Sequence, residues 1–334
     1  MKCRKLLYFM LACMMLAGCQ KTIPAEPTVP VTQAHAEIIS EETIPTETAP
    51  DRDLLNAEFV AISNPLPKAI ILEAEASGTA EERCADAVID YSHAEDGYVM
   101  AQFLTETDTR LKVLIKGATT TYTYNLPQGQ WAVFPLSDGN GSYQVCIYQN
   151  VYDNKYALVL SAIFDVNLVD EFAPFLRPNQ YVNYTDATAS VMRGLKITAG
   201  LTDPLEKVAA IYDFVVTHLE YDYDKAATVK SGYLPVLDDV LAARKGICFD
   251  YAALMTAMLR SQGIPTKLVV GYAGTTYHAW ISVWTEENGW IDGAIFFDGQ
   301  VWKRMDPTFA SSGNRSEEIM DYIEHGDYVA KYLY

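Results

Sequence analysis

The chain has 334 residues, half of them hydrophobic and 12 % aromatic, which is enough for about two domains with their own cores. Its 43 Asp and Glu residues outnumber its 25 Lys and Arg residues, so the formal net charge is −18 at pH 7. The aromatic content excludes disorder along the whole chain, and the acidic charge argues against binding to nucleic acid or to anionic headgroups.

The first residues have the organisation of a secretory signal. A basic start at residues 1–5 precedes an apolar run over residues 6–18 that is too short to span a bilayer with ease. The run ends in Leu-Ala-Gly followed by Cys19, which resembles the lipobox of bacterial lipoproteins. That resemblance implies that residues 1–18 are a signal peptide and that Cys19 is the site of lipid attachment. We expect a membrane-anchored, extracytoplasmic lipoprotein at the bacterial cell surface or envelope; an anchor helix or cleavage elsewhere is the alternative.

Residues 19–60 are rich in Thr, Pro and Glu and contain scarcely an aromatic side chain. A segment of this composition cannot bury enough apolar surface to order itself. We expect a disordered tether that holds the folded part away from the membrane, in preference to a recognition peptide.

Residues 66–168 carry short β-branched and aromatic runs separated by turn signals. This spacing predicts an all-β, Ig-like sandwich with a binding or spacing role. The turn signal at residues 137–141, Ser-Asp-Gly-Asn-Gly, predicts a hairpin. A calcium loop at Asp138 and Asn140 is disfavoured, because the Gly and Glu that such a loop needs are missing from their positions.

From residue 183 to residue 334 the pattern becomes that of an α+β domain. Helical periodicity follows Thr185 or Asp186, Asp203-Pro204 opens a second helix, and Leu237 begins a short third one. Two short strand patterns follow further along the chain, at residues 277–284 and 302–308.

Cys248 lies at the start of a long apolar helix that ends before Gly263 and Pro265. The free N–H groups and the positive end of the helix dipole favour thiolate over thiol there, and the thiolate is the nucleophile. The same N–H groups could bind the oxyanion that forms when the sulfur attacks a carbonyl. Cys248 is therefore the candidate nucleophile, although an inert buried cysteine is the simpler reading of this residue alone.

His278 is the candidate general base, because of the five histidines it alone lies in a strand that could reach Cys248. Strand alternation places His278 on one face with Trp280 and Ser282. Its second ring nitrogen needs an orienting acceptor, which Asp306 at the end of the next plausible strand could supply. Alternatively, His278 is a satisfied core histidine and Asp306 starts a turn.

These three motifs, Gly-Ile-Cys248-Phe-Asp-Tyr-Ala, His278-Ala-Trp and Asp306-Pro-Thr, resemble in their order the transglutaminase-like superfamily, which has a papain-like fold. In that family a cysteine at a helix start is followed by histidine and aspartate on two adjacent antiparallel strands. The resemblance extends from about residue 190 to about residue 312. It implies acyl transfer through a thioester on Cys248, with His278 relaying the proton and Asp306 holding the imidazole.

The resemblance leaves two positions open. Tyr221 is a candidate second oxyanion donor by its place upstream of the cysteine, although a packed surface aromatic is the favoured reading. The stretch between His278 and Asp306 is longer than the family pattern, resembles an inserted hairpin, and makes Asp292 a rival of Asp306.

The sequence therefore predicts an extracytoplasmic enzyme that carries out cysteine-dependent acyl transfer or amide hydrolysis on proteins or cell-wall peptides. The alternatives are an inactive scaffold that serves as an adhesion or wall-binding lipoprotein and a solute-binding lipoprotein, which would leave the triad unexplained. No cofactor and no metal motif is expected. After processing, Cys84 and Cys146 either pair or stay buried, and Cys248 is the odd thiol.

Overall fold

The structure, a computed structural model, describes residues 66–292, 295–297, 302–304 and 327–334. The predicted signal peptide 1–18, the lipid-attachment site Cys19, the tether 19–60 and Asp306 lie outside these residues. Among the helices that the structure describes, none is long and apolar enough to cross a membrane.

The first eight strands form two antiparallel sheets that pack into a sandwich. Their bounds are β1 Glu81–Arg83, β2 Ala87–Asp90, β3 Tyr98–Phe103, β4 Leu111–Lys116, β5 Thr121–Asn125, β6 Ala132–Pro135, β7 Gly141–Tyr152 and β8 Lys155–Val166. One sheet has the order β1-β2-β3-β6 and the other β5-β4-β7-β8. Alternate side chains of β4 and β5 are buried, and the rings of Tyr124 and Phe134 meet between the sheets at 5.1 Å. The predicted sandwich is confirmed; its Ig-like character stays a prediction.

The turn at residues 137–141 does not form the predicted hairpin. It carries the chain from β6, which pairs with β3, to β7, which pairs with β4 and β8 in the other sheet. The Asp138 carboxylate accepts hydrogen bonds from the backbone N–H groups of Thr119 and Thr120, each at 2.8 Å. Asp138 thus stabilises the turn between β4 and β5. The turn at residues 137–141 itself connects two strands, β6 and β7, that belong to different sheets.

A mixed helical and antiparallel part follows, so the predicted α+β class is confirmed. The helices are α1 Ala189–Ile197, α2 Pro204–His218, α3 Tyr223–Thr228, α4 Leu237–Ala243 and α5 Cys248–Arg260. The strands are β9 Glu220–Tyr221, β10 Lys245–Gly246, β11 Thr266–Ala273, β12 Thr276–Thr285, β13 Gly289–Asp292, β14 Ile295–Phe297, β15 Trp302–Arg304 and β16 Tyr328–Leu333. The backbones of β14 and β15 pair antiparallel, as the inserted hairpin requires.

Helix α5 is the central element of this second part. Its residues from Asp250 onward are buried, and it packs against α1, α2 and α4 on one side and against β11 and β12 on the other. The sheet has the order β13-β12-β11-β16, so the last described strand pairs beside β11. Between its two buried charged residues, Asp250 and Arg260, the helix is largely apolar on all faces, and such a helix is expected to be buried in this way.

Arg260, the last residue of α5, joins three parts of the chain. It is fully buried, and its guanidinium donates to the carbonyl oxygens of Thr266 at 2.8 Å, Arg177 at 2.8 Å and Tyr334 at 2.6 Å. Burial lowers the pKa of Arg260 to about 10, so the group stays charged at neutral pH. The ring of Tyr334 in turn packs against Tyr124 of the sandwich at 5.7 Å. The helix end, the sheet edge and the sandwich are therefore held together at one point.

Candidate active site

Cys248 is the first residue of α5 and is half-buried with a free thiol. It follows the short strand β10 and the N-cap residue Ile247, whose extended backbone (φ −97°, ψ 174°) turns the chain into the helix. Within this first turn the Ile247 N–H donates to the Asp250 carboxylate and the Asp250 N–H donates to the Ile247 carbonyl. The N–H groups of Cys248 and Phe249, the first two residues of the helix, are therefore the ones that an oxyanion could use. The predicted position of Cys248 at a helix start is confirmed.

Gly246 and Asp250 fit together on either side of Cys248. The Asp250 carboxylate accepts a hydrogen bond from the backbone N–H of Ile247 at 2.9 Å, which closes the first turn of α5. A Cβ added at Gly246 would lie 2.8 Å from the Cβ of Asp250. The spacing Gly-x-Cys-x-Asp is thus a packing requirement of this helix start.

His278 lies near the beginning of β12 and is 4 % exposed. Ala279 and Ile281 belong to the hydrophobic core, whereas His278 alternates with them and shares its face with Trp280, as predicted. The imidazole stacks on the Trp280 indole at a centroid distance of 6.2 Å and meets the ring of Tyr328 at 6.4 Å. The imidazole therefore lies beside aromatic rings of two strands, β12 and β16.

Gly271 lies opposite His278 in the β11–β12 pair. A Cβ at this position would meet the carbonyl oxygen of Val329 at 2.0 Å and the Trp280 ring at 2.9 Å. The missing side chain lets β16 approach at a register shift between Val270 and Gly271 and brings Tyr328 against His278.

Replacement of Gly271 by alanine is expected to push β16 away from β11 and to destabilise the fold by about 1–3 kcal/mol, because the added methyl group overlaps backbone atoms. Urea unfolding followed by fluorescence measures the effect. Val329→Ala on β16, the strand that faces Gly271, is the control, since Val329 is exposed and its truncation should leave the midpoint nearly unchanged. Equal midpoints for Gly271→Ala and the wild type would contradict the prediction.

The path lengths along α5 and β11 predict that Cys248 and His278 lie at the same end of the layer that α5 forms with the sheet. At the other end, Arg260 is hydrogen-bonded to Thr266, the first residue of β11. From this anchor the rise back along α5 to Cys248 is about 18 Å. The rise along β11 to Gly271, the partner of His278, is about 17 Å. Both residues are therefore at about the same height, and direct contact between thiol and imidazole stays a prediction.

Tyr221 lies on the strand next to the cysteine segment. Strand β9 runs parallel to β10 and pairs Tyr221 with Gly246, two residues before Cys248. The Tyr221 ring is half-buried and meets the Tyr223 ring at 4.9 Å. The structure thus brings Tyr221 beside the cysteine segment, and its role as an oxyanion donor stays a prediction.

Of the two candidates for orienting His278, Asp292 and Asp306, only Asp292 lies within the described residues. Asp292 lies opposite Ser282 and accepts a hydrogen bond from its hydroxyl at 2.7 Å. Ser282 is four residues along β12 from His278, which corresponds to about 13 Å. Asp292 is therefore committed elsewhere, whereas Asp306 lies outside the described residues and stays a prediction.

The other cysteines of the folded part are not linked. Cys84, in the turn between β1 and β2, and Cys146, on β7, are both free, so the disulfide alternative does not occur in the structure. The Cys146 thiol lies 3.4 Å from the Ser161 hydroxyl. Within the described ranges, no group of three or more His, Cys, Asp or Glu side chains could hold a metal ion.

A family model and two curated relatives match parts of the chain, and the match to the family model includes Cys248. Residues 192–293 match the family model of the transglutaminase-like superfamily. Over 106 residues the chain is 30 % identical to a protein-glutamine gamma-glutamyltransferase of Pseudomonas aeruginosa, which covers 27 % of this chain and 14 % of that protein. Over 110 residues it is 32 % identical to the kyphoscoliosis peptidase of Mus musculus, which covers 32 % of this chain and 16 % of that protein.

A solved structure is also similar to the chain. The periplasmic domain of TgpA from Pseudomonas aeruginosa, bound to ethylmercury, aligns with a TM-score of 0.31 and 17 % identity over 72 % of this chain and 78 % of that domain. The chain spans less than half the length of the curated relatives it matches, from 14 % to 45 % of the first three.

Proposed function

We propose that the protein transfers acyl groups through a thioester on Cys248, and the match of residues 192–293 to the family model of the transglutaminase-like superfamily supports this. The observation that carries this proposal is a free, half-buried thiol at the start of the buried helix α5. The name of one relative, a gamma-glutamyltransferase, supports transfer to an amine, and the name of the other, a peptidase, supports hydrolysis of a peptide bond. Location outside the cytoplasm, with a lipid on Cys19 in the membrane, is part of the proposal.

The first half of the reaction forms the thioester. The Cys248 thiolate attacks the carbonyl carbon of a carboxamide or peptide, and the N–H groups at the start of α5 donate to the developing oxyanion. The carbon–nitrogen bond then breaks, and the leaving ammonia or amine takes its proton from the His278 imidazolium. Asp306 would hold the imidazole in the orientation that this transfer requires.

The second half restores the enzyme. An amine or a water molecule gives a proton to the His278 imidazole and attacks the thioester carbon, and the sulfur leaves as thiolate. Attack by an amine cross-links or modifies the substrate, whereas attack by water hydrolyses it. Whether the amine or water attacks the thioester depends on how well the occupied site excludes water. We propose proteins or cell-wall peptides as substrates, because these carry the amides that an enzyme outside the cytoplasm meets.

The test is an assay of the full chain in detergent with three substrates: a glutamine peptide with a fluorescent alkylamine, the same peptide alone, and peptidoglycan stem peptides. Mass spectrometry should find a glutamine peptide that has lost ammonia and gained amine or water, or stem-peptide fragments that together have gained one water, and an acyl adduct on the peptide that contains Cys248. Absence of both product and adduct with every substrate would overturn the proposal in favour of a non-catalytic scaffold.

A further inference from the structure

The segment that carries Cys248 is fastened to the segment from β9 to Tyr233. Before the cysteine, the backbone N–H of Glu220 donates to the Arg244 carbonyl at 2.9 Å, and that of Asp222 donates to the Gly246 carbonyl at 2.8 Å. After the cysteine, the ammonium of Lys225 reaches the Asp250 carboxylate at 2.6 Å. Cys248 is therefore held on both sides by one neighbouring stretch of chain.

Asp250 is the centre of a closed hydrogen-bonded cluster. Its carboxylate is fully buried and accepts from the Lys225 ammonium at 2.6 Å, the Tyr233 hydroxyl at 2.6 Å and the Ile247 N–H at 2.9 Å. Lys225 also donates to the Tyr233 oxygen at 2.5 Å. Burial, and next the hydrogen bond to Asp250, raise the pKa of Tyr233, so its hydroxyl remains a neutral donor. A buried carboxylate with three donors is a satisfied and rigid group.

The same cluster controls both neighbours of Cys248. Asp250 holds the N–H of Ile247, the residue before the cysteine, and the Tyr233 ring meets the ring of Phe249, the residue after it, at 6.5 Å. Cys248 itself is half-buried and contributes no hydrogen bond to the cluster. The direction of its thiol is set by this first turn of α5, since a helix start is defined by its N-cap and N3 contacts.

We propose that Lys225, Tyr233 and Asp250 are positioning residues, which hold the first turn of α5 so that the Cys248 thiol and its neighbouring N–H groups face the substrate carbonyl together. This inference rests on the proposed function. None of the three needs to touch the substrate, because they act through the backbone on either side of Cys248. A displacement of the nucleophile by about 1 Å can slow a reaction by about 10²-fold.

The sharpest variant is Tyr233→Phe, which keeps the ring against Phe249 and removes one hydrogen bond from Asp250. In the full chain we expect kcat for the glutamine peptide to fall by about 10- to 100-fold while KM changes by less than about twofold, because attack depends on position and binding does not. Lys225→Met should have at least this effect, and Lys225→Arg, which keeps the charge, should recover part of the loss. Lys230→Met is the matched control, since Lys230 is exposed just after α3 and its replacement should leave kcat unchanged.

A second readout needs no substrate. The rate of iodoacetamide reaction at Cys248, followed by peptide mapping, should fall several-fold in Tyr233→Phe, with Cys84 as the internal reference. If the wild type shows no turnover but this rate falls, the proposed function fails and the positioning role stands. If the wild type is active and Tyr233→Phe matches it in both kcat per folded molecule and alkylation rate, the positioning role is overturned. If Lys225→Met does not fold, Tyr233→Phe decides alone.

Discussion

Replacement of Cys248 by alanine is expected to reduce turnover by about 10³-fold or more, because no other group at the start of α5 can form the thioester. The fold should be unaffected. Cys248 is half-buried at a helix start, so removal of its sulfur should shift the thermal midpoint by no more than about 2 °C. Turnover with the glutamine peptide and a thermal melt of the same sample measure the two quantities.

Cys84 provides the matched control for this variant. It is also a free, half-buried cysteine, but it lies in the turn between β1 and β2 and not at a helix start. Cys84→Ala should therefore retain full turnover. In the wild type, iodoacetamide should react at Cys248 at least about 10-fold faster than at Cys84 at neutral pH, because Cys248 is the first residue of a helix and Cys84 is not. Full activity in Cys248→Ala, or equal alkylation of the two thiols, would contradict catalysis by Cys248.

The start of α5 could be predicted from the sequence because its signals are local. The apolar stripe after Cys248 and the stop at Gly263 and Pro265 define a helix without reference to any other part of the chain. The structure ends the helix at Arg260 and turns the chain at Gly263, which has a left-handed φ of 75°. The strand of His278 was predictable for the same reason, since its alternation is visible over a few residues.

The partners of these local elements could not be predicted in the same way. The turn at residues 137–141 has the residues of a hairpin, but its strands join different sheets because β6 pairs with β3 from earlier in the chain. Likewise, nothing near Gly271 in the sequence indicates that β16 will pair there, although the clash that a Cβ would make with Val329 requires a glycine. Such pairings depend on contacts between distant residues, which a local pattern does not specify.

The Asp250 cluster could be predicted from the sequence only in part. An acidic residue three positions after the N-cap Ile247 is a recognisable cap signal, so the bond from Asp250 to that residue could have been found. Its bonds to Lys225 and Tyr233 could not, because they require the parallel pairing of β9 with β10 that brings the two segments together. Asp306 remains a prediction from its motif.

Arg260→Met is expected to destabilise the protein by about 3–5 kcal/mol, because it removes the donors from a buried site whose remaining groups are carbonyl oxygens. Methionine is unbranched and flexible, so it should fill most of the space that the stem of Arg260 occupies. The carbonyls of Thr266, Arg177 and Tyr334 would then lose the guanidinium in a region without access to water. Urea unfolding followed by circular dichroism measures the change in the free energy of unfolding.

One further variant separates the fork-shaped hydrogen bonding of Arg260 from its charge, and a second, at the surface, is the control. Arg260→Lys keeps the positive charge but cannot direct three donors along the fork, so it should also be destabilised. Arg83, which pairs with Glu81 at 2.8 Å on the surface, is the control, and its replacement by Met should leave the midpoint close to that of the wild type.

Because Tyr334 packs on Tyr122 and Tyr124, loss of Arg260 should also weaken the near-ultraviolet signal of these rings before the helical signal falls. A wild-type midpoint in Arg260→Met would show that the three carbonyls do not depend on the guanidinium.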